Sequence, residues 1–195
     1  MGCAASAHHE PPPPPPPPPP ALDEGDDQTP AECVATLRGH SGYVFSLAVA
    51  PDGSTVYSGS GDNTVRAWAM PGGRGECVAT LVGHSGSVEA LAVAPFGKTL
   101  YSGSVDSTIR AWALPGGECV ATLRGHTSRV WALAVAPDGH TLYSGSDDRT
   151  VRAWALPGGE CVATLKGHSD CVMAVAVSPD GETVFSGSWD NTVQA

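Results

Sequence analysis

Histidine, serine and aspartate recur together four times along this 195-residue chain, always at the same spacing. The serine follows the histidine by 18 residues, the aspartate follows the serine by 4, and in three sets a tryptophan follows the aspartate by 6. The sets are His40, Ser58, Asp62 and Trp68; His84, Ser102, Asp106 and Trp112; His126, Ser144, Asp148 and Trp154; and His168, Ser186 and Asp190. An imidazole, a hydroxyl and a carboxylate are the groups of a hydrolytic triad, so catalysis is the first hypothesis.

The repetition of these sets favours a structural role. Four identical copies, three of them with a tryptophan partner, fit repeated scaffolding better than one active site. A buried carboxylate needs hydrogen-bond donors, which histidine and serine supply. Motifs of the GxSxG, Walker A, HExxH and GxGxxG types are absent from the sequence. We therefore expect no enzymatic activity, no metal and no cofactor, with hydrolysis as the alternative.

The sets lie in a repeat whose Gly-His mark occurs at 39–40, 83–84, 125–126 and 167–168. A self-similar period of this length indicates stacked supersecondary units. Each unit predicts four short strands, which in the first repeat cover 33–37, 43–50, 55–60 and 64–69. Turn-forming residues such as Pro51-Asp52-Gly53 separate these strands.

Residues 33–195 resemble the WD-repeat (WD40-type) β-propeller family, on the four Gly-His marks, the three tryptophans and the blade-length period. The name-giving Trp-Asp is Trp-Ala here, as in Trp68-Ala69, but the tryptophan does the packing. The resemblance implies that each His-Ser-Asp-Trp set is a hydrogen-bonded tetrad that ties one blade together.

The predicted fold is all-β, a propeller or open propeller arc of about four four-stranded blades. The repeats span about 33–75, 76–117, 118–159 and 160–195, the last one truncated, and its tryptophan would fall at 196. Residues 33–37 could close the last blade, as the N-terminal strand does in this family. A fragment, an incomplete gene model and an arc that closes by oligomerisation remain alternatives.

Three positions vary sharply between repeats whose other residues stay fixed. They are the residue before the valine that follows Gly-His, the residue after that valine, and the residue before the tetrad aspartate. The first set is Tyr43, Ser87, Arg129 and Cys171; the second is Phe45, Glu89, Trp131 and Met173; the third is Gly61, Val105, Asp147 and Trp189.

In propellers these three positions lie around the top opening, so the resemblance implies a face there that binds a protein or peptide. The aromatic residues would act as anchors, and Arg129, Glu89 and Asp147 would add charge selectivity. The alternative is that these surface positions are simply unconstrained.

Charge and composition exclude several classes of protein. The formal net charge is −10, and no cluster of lysine or arginine is present, which argues against nucleic acid as a partner. No stretch approaches the roughly 20 apolar residues of a membrane-spanning helix, and no signal peptide is visible. Four of the six cysteines, one per repeat, are at one repeat position, which predicts buried, reduced thiols in a cytoplasmic protein.

The first ten residues, MGCAASAHHE, match the pattern for N-terminal acylation. Gly2 with Ser6 fits the myristoylation motif, and Cys3 could carry the palmitate that stable anchoring requires. Residues 11–32 predict a disordered polyproline and acidic linker, whose ten prolines would span about 31 Å as a polyproline II helix. A disordered leader without lipid is the alternative.

These observations predict a non-enzymatic interaction scaffold, cytoplasmic or held at the cytoplasmic face of a membrane. The alternative is the truncated regulatory or targeting propeller of a larger protein, such as an enzyme.

Overall fold

The computed structural model describes residue 33 and residues 35–70 and 75–195. These residues contain fifteen strands and no helix, so the described part of the chain offers no helix able to cross a bilayer. The predicted acylation signal at 1–10 and linker at 11–32 lie outside the described residues. The all-β fold class is confirmed.

The strands follow one another in four antiparallel sheets, which we number as blades 1 to 4. Blade 1 contains β1 (Val44–Val49), β2 (Thr55–Ser60), β3 (Thr64–Ala69) and β4 (Glu76–Val82). Blade 2 contains β5 (Val88–Val93), β6 (Thr99–Ser104), β7 (Thr108–Ala113) and β8 (Glu118–Arg124). Blade 3 contains β9 (Val130–Val135), β10 (Thr141–Ser146), β11 (Thr150–Ala155) and β12 (Glu160–Lys166). Blade 4 has three strands, β13 (Val172–Val177), β14 (Val184–Ser188) and β15 (Val193–Gln194).

Each blade is offset by one strand from the sequence repeat. The ECVATL segment that opens the second repeat forms β4, the last strand of blade 1, and pairs with β3. The prediction of a strand at 33–37 in the first repeat is wrong for the described residues there, because 33 and 35–37 have no regular secondary structure.

Apolar side chains fill the space between consecutive blades. We call the side of a blade toward the preceding blade its front face and the side toward the next blade its back face. Tyr57 and Val65 on the back of blade 1 pack with Val88, Leu100 and Trp112 on the front of blade 2. Blades 2 and 3 repeat this arrangement with the corresponding residues. The core is therefore a series of layers between sheets.

Glycine in the second strand of each blade permits the close approach of the next blade. A Cβ atom placed on Gly59 would lie 2.7 Å from Cγ1 of Val88, and one on Gly103 would lie 2.7 Å from Cγ1 of Val130. These distances are too short for any side chain, which explains why the SGS sequence recurs in these strands.

The first and last blades leave one face uncovered. Val44 on the front of blade 1 is 51% exposed, whereas its counterpart Val88 is fully buried. Val193 on the back of blade 4 is 75% exposed, whereas its counterpart Val65 is fully buried. The described blades therefore form an open arc.

Candidate functional site: the tetrads and the rim

Each of the three complete tetrads is drawn together by four different elements of its blade. In blade 3, His126 precedes β9, Ser144 lies on β10, Asp148 is in the turn after β10, and Trp154 lies on β11. The His126 Nδ1 atom lies 2.7 Å from Asp148 Oδ2, and the Nε2 atom lies 2.7 Å from Ser144 Oγ. The Trp154 indole N–H donates to the same Ser144 Oγ at 2.8 Å.

The other blades repeat this geometry. The histidine–aspartate and histidine–serine distances are 2.7 Å and 2.7 Å for His40 and 2.8 Å and 2.8 Å for His84. In blade 4 they are 2.8 Å and 2.9 Å for His168. A cavity of about 270 Å³ beside this set is lined by Val151, His168, Ser186 and Gln194, among others.

The tetrad aspartates are held in the ionised form by several donors. Burial alone would raise the pKa of Asp106, but hydrogen bonds from Thr108, from His84 and from the backbone N–H of Ser85 lower it to about 2. Hydrogen bonds likewise outweigh burial and lower the pKa values of Asp62 and Asp148. For Asp190 the hydrogen bond from Thr192 is the main cause of the lowered pKa. Burial lowers the pKa of His84, partly offset by Asp106. An ionised aspartate with a neutral histidine fits an Nδ1–H donor to the carboxylate and a serine O–H donor to Nε2.

This arrangement supports a structural role for the tetrads. Ser102 and Ser144 are fully buried, and each serine hydroxyl already bonds both the histidine and the tryptophan of its own blade. A hydrolytic serine oxygen must approach the carbonyl carbon of a substrate, and burial of these serine hydroxyls leaves no open path for a substrate to reach them. In chemical terms, the set ties one loop, one turn and two strands together.

The tetrad threonines were not singled out from the sequence. Thr108 donates its hydroxyl to Asp106 Oδ1 at 2.6 Å, and Thr150 donates to Asp148 Oδ1 at 2.6 Å. Thr64 and Thr192 do the same for their own blades. The signal was available, because a threonine stands two residues after the aspartate in every repeat.

A second repeated contact joins arginine to cysteine on the last two strands of a blade. The Nη1 group of Arg110 donates to Cys119 Sγ at 3.4 Å, and Arg152 donates to Cys161 at 3.5 Å. Arg66 and Cys77 make the longer equivalent contact of 3.7 Å. The prediction that the four repeated cysteines are buried is wrong, because Cys33 and Cys161 are exposed and Cys77 and Cys119 are half-buried. The last three lie on the last strand, at the outer edge of its blade.

The variable positions predicted from the repeats meet in pairs at one end of each blade. The backbone N–H of the residue before the tetrad aspartate donates to the carbonyl of the residue before the fixed valine. The pairs are Gly61 with Tyr43 at 2.8 Å, Val105 with Ser87 at 2.9 Å, Asp147 with Arg129 at 3.0 Å, and Trp189 with Cys171 at 3.0 Å. We call these eight residues, together with Phe45, Glu89, Trp131 and Met173, the rim.

Large aromatic side chains stand exposed on the rim. Tyr43 is 84% exposed and Trp189 is 62% exposed, while Phe45 is about half exposed. The Tyr43 and Phe45 rings are 6.4 Å apart. Phe45 lies over Gly61, where a Cβ atom would come within 3.2 Å of the ring, so the glycine makes room for it. Ser87, Glu89, Val105 and Met173 are half-buried.

Charged groups link the rims of blades 2 to 4. Arg129 Nε lies 3.8 Å from Asp147 Oδ2, and its guanidinium lies 5.9 Å from the centre of the Trp131 ring. The Trp131 indole N–H donates to Asp147. Burial raises the pKa of Glu89, an effect that Arg129 opposes. Burial together with Asp147 and Asp170 raises the pKa of the Cys171 thiol to about 11.

The geometry therefore divides the candidate residues into two separate sets. The tetrads are buried and internally satisfied, while the rim presents exposed aromatic groups beside an arginine–carboxylate cluster. None of the described residues forms a group of histidine, cysteine and carboxylate side chains suited to a metal ion.

Short stretches of the chain match known proteins. Protein FIZZY-RELATED 1 from Arabidopsis thaliana is 57% identical over 35 residues, which cover 18% of this chain and 7% of that protein. Ribosome biogenesis protein erb1 from Emericella nidulans is 49% identical over 45 residues, 23% of this chain and 6% of that protein. Anaphase-promoting complex subunit cdh1 from Dictyostelium discoideum is 54% identical over 37 residues, 19% and 5% respectively. Each match thus spans less than a tenth of the relative's length.

The family comparison covers most of the chain. The family model for the WD domain, G-beta repeat, matches four times, at residues 31–69, 75–113, 117–155 and 159–194. These matches coincide with the four Gly-His marks and with the four tetrad sets in the structure. The chain belongs to the WD40 repeat family.

Proposed function

We propose that this chain is a non-enzymatic scaffold that binds a protein or peptide through its rim. The observation that carries the proposal is the set of exposed aromatic side chains at positions that vary between otherwise near-identical repeats. Tyr43 and Trp189 are mostly exposed, and tyrosine and tryptophan are enriched among the residues that dominate binding energy at interfaces. Unconstrained surface positions would not be expected to collect such residues.

Charges beside these aromatic groups would give the rim its selectivity. Arg129 is exposed, and it faces Asp147 and Trp131 across contacts that a partner could replace or extend. Opposite charges at an interface mainly suppress wrong partners and speed association. The net charge of −10 disfavours nucleic acid as that partner.

The matched relatives support a role in protein assemblies. One relative's name describes it as a subunit of the anaphase-promoting complex, and another's as a ribosome biogenesis protein. Because only one repeat-length stretch is shared with each, the likeness supports the type of module and leaves the partner's identity to experiment.

Selection from a random peptide library displayed on phage tests the proposal. The chain should enrich a defined group of peptides, and the double variant Tyr43→Ala, Trp189→Ala should fail to enrich them. Val120→Ala is the matched control, because Val120 is similarly exposed but lies on the last strand of blade 2. Equal enrichment on the double variant, or none on any form, would contradict binding at the rim.

We also propose that the chain is tethered by lipid to the cytoplasmic face of a membrane, with myristate on Gly2 and palmitate on Cys3. The support is the MGCAAS sequence, which places Gly2 and Ser6 in the myristoylation pattern and Cys3 beside them for the second lipid that stable anchoring requires. Intact mass of the protein from its native cells should show both acyl groups. Gly2→Ala should remove both lipids, and Cys3→Ser should remove palmitate alone.

A further inference from the structure

We propose that a second copy of this chain docks head-to-tail on the arc, with the back face of its blade 4 seated on the front face of blade 1. The proposal concerns the end blades and does not depend on what the rim binds.

The front face of blade 1 forms an apolar socket. A cavity of about 380 Å³ is lined by Leu37, Val44, Leu47, Val56 and Trp68, together with neighbouring polar residues. Val44 and Leu47 are more than half exposed, as is Val49 on the same face. A contiguous apolar surface of this kind on a soluble protein marks an interaction site.

The back face of blade 4 carries the matching apolar projections. Phe185 and Val193 are exposed large hydrophobic residues, and Ala174, Ala176 and Ala195 are also exposed. Tyr57, Val65 and Ala67, the counterparts of Phe185, Val193 and Ala195 in blade 1, are buried against blade 2.

The chain already makes the proposed interface twice within itself. On blade 1, Tyr57, Val65 and Ala67, together with Leu81 of β4, pack into a layer with Val88, Leu100 and Trp112 of blade 2, all of them buried. Blades 2 and 3 repeat this layer with the corresponding residues. The repeat counterparts on blade 4 are Phe185, Val193 and Ala195, and those on the front of blade 1 are Val44, Val56 and Trp68. Leu37 is the counterpart of Leu81 and lines the socket beside them.

Gly187 gives independent evidence that the back face of blade 4 can accept a further blade. A Cβ atom on Gly59, Gly103 or Gly145 would collide with a valine of the next blade at 2.7 to 2.8 Å. At Gly187 the nearest atom to such a Cβ is Ala174 Cβ of its own blade, at 3.7 Å. Gly187 therefore leaves open the space that Val44 of a second copy would occupy.

Head-to-tail docking of two copies would give a closed ring and would not continue into a filament. The four described blades of two copies make eight blades together, within the range of about four to eight that closed propellers use. A heterologous interface that closes on itself gives a ring with two identical junctions instead of a filament. The assembly would bury both exposed faces of each copy.

The mass of the full chain in solution, measured by light scattering during size-exclusion chromatography, tests the proposal. The wild-type chain should be a dimer. Leu47→Lys on the front face and Val193→Lys on the back face should each raise the dimer dissociation constant by at least about tenfold, because each buries an unpaired charge. Val120→Lys is the matched control, since Val120 is also more than half exposed but lies on an outer strand, and it should leave the dimer intact.

Mixing the two variants gives the sharpest outcome. A one-to-one mixture of Leu47→Lys and Val193→Lys retains one wild-type junction, so it should recover a heterodimer that neither variant forms alone.

Gly187→Ala should weaken the dimer while leaving the monomer folded, as judged by circular dichroism. A wild-type chain that stays monomeric up to about 100 μM, or a dimer that only one of the two lysine variants disrupts, would overturn the proposal. Peptide binding at the rim should persist in both lysine variants, so failure of one proposal can be told from failure of the other.

Discussion

Ser144 and Trp154 are joined by a hydrogen bond of 2.8 Å between the indole N–H and the serine hydroxyl, both of them buried. The same hydroxyl lies 2.7 Å from His126 Nε2, so one side-chain oxygen serves two buried groups. Substitution of Ser144 by alanine should therefore leave the indole N–H and the imidazole nitrogen without partners.

The Ser144→Ala variant should lose about 1–3 kcal/mol of unfolding free energy, the usual penalty for an unsatisfied buried polar group. Ser186→Ala in blade 4 should lose less, because no tryptophan bonds to Ser186 in the described residues. Urea denaturation of the two variants checks this order. Equal losses would show that the indole hydrogen bond adds nothing to stability.

The stability of the chain should fall on acidification in two stages. His84 has a lowered pKa in the folded chain, so its protonation favours the unfolded state as the pH falls below the usual histidine value of about 6.5. Asp106 has a folded pKa of about 2, against an ordinary value of 3.8, so its contribution is present above pH 4 and is lost as the pH falls from about 4 toward 2.

Melting temperatures measured from pH 7 to pH 2.5 check this dependence. Asp106→Asn should lower the stability at pH 7 and make the decline below pH 4 shallower than in the wild type. Glu118→Gln, which changes an exposed carboxyl group, is the control and should keep the wild-type profile. A profile for Asp106→Asn that runs parallel to the wild type below pH 4 would show that this carboxylate is not a source of the acid sensitivity.

Gly103→Ala should destabilise the chain by about 1–3 kcal/mol, the usual range for overpacking in a core. The added Cβ would lie 2.7 Å from Val130 Cγ1 in the next blade, and the buried valine cannot withdraw. Gly116→Ala is the matched control, because no atom lies within 4 Å of a Cβ there. Chemical denaturation of both variants measures the difference, and an equal stability for the two would mean that the blades can separate without penalty.

Phe96→Asp should stabilise blade 2 by up to about 1 kcal/mol, by supplying a turn acceptor that the other blades possess. Asp52, Asp138 and Asp180 each accept the backbone N–H two residues ahead, at 2.9 Å, 2.8 Å and 3.0 Å. Phe96 has no acceptor and is 73% exposed. A lower melting temperature for this variant would indicate that contacts of the ring with the neighbouring turn outweigh the hydrogen bond.

Much of the fold was predictable because comparison of the four repeats shows which positions stay fixed. The constant spacing marked His126, Ser144 and Asp148 as a repeated set, and the resemblance to the WD-repeat family predicted that they form a hydrogen-bonded tetrad. The strand predicted at 33–37 shows a limit of the method, because residues 33 and 35–37 have no regular secondary structure although the same sequence forms β4 in blade 1. A repeat shows which residues recur, but it does not specify which segments become strands.

The rim was predictable as a set of positions, but its contacts were not. Comparison of the repeats singled out Arg129, Trp131 and Asp147 as variable. That these three side chains contact one another depends on side-chain orientation, which spacing does not specify. The half-buried state of Cys119 likewise depends on the last strand being the outer edge of its blade.

The affinity of a library-selected peptide for rim variants tests the central claim most directly. Fluorescence anisotropy with the labelled peptide should show that Trp189→Ala raises the dissociation constant by at least about thirtyfold, as expected for a central aromatic anchor. Val120→Ala should bind as the wild type does, and both variants should keep the wild-type melting temperature because both side chains are exposed. A peptide that binds the Trp189→Ala and Tyr43→Ala variants with wild-type affinity would contradict the assignment of the rim as the binding face.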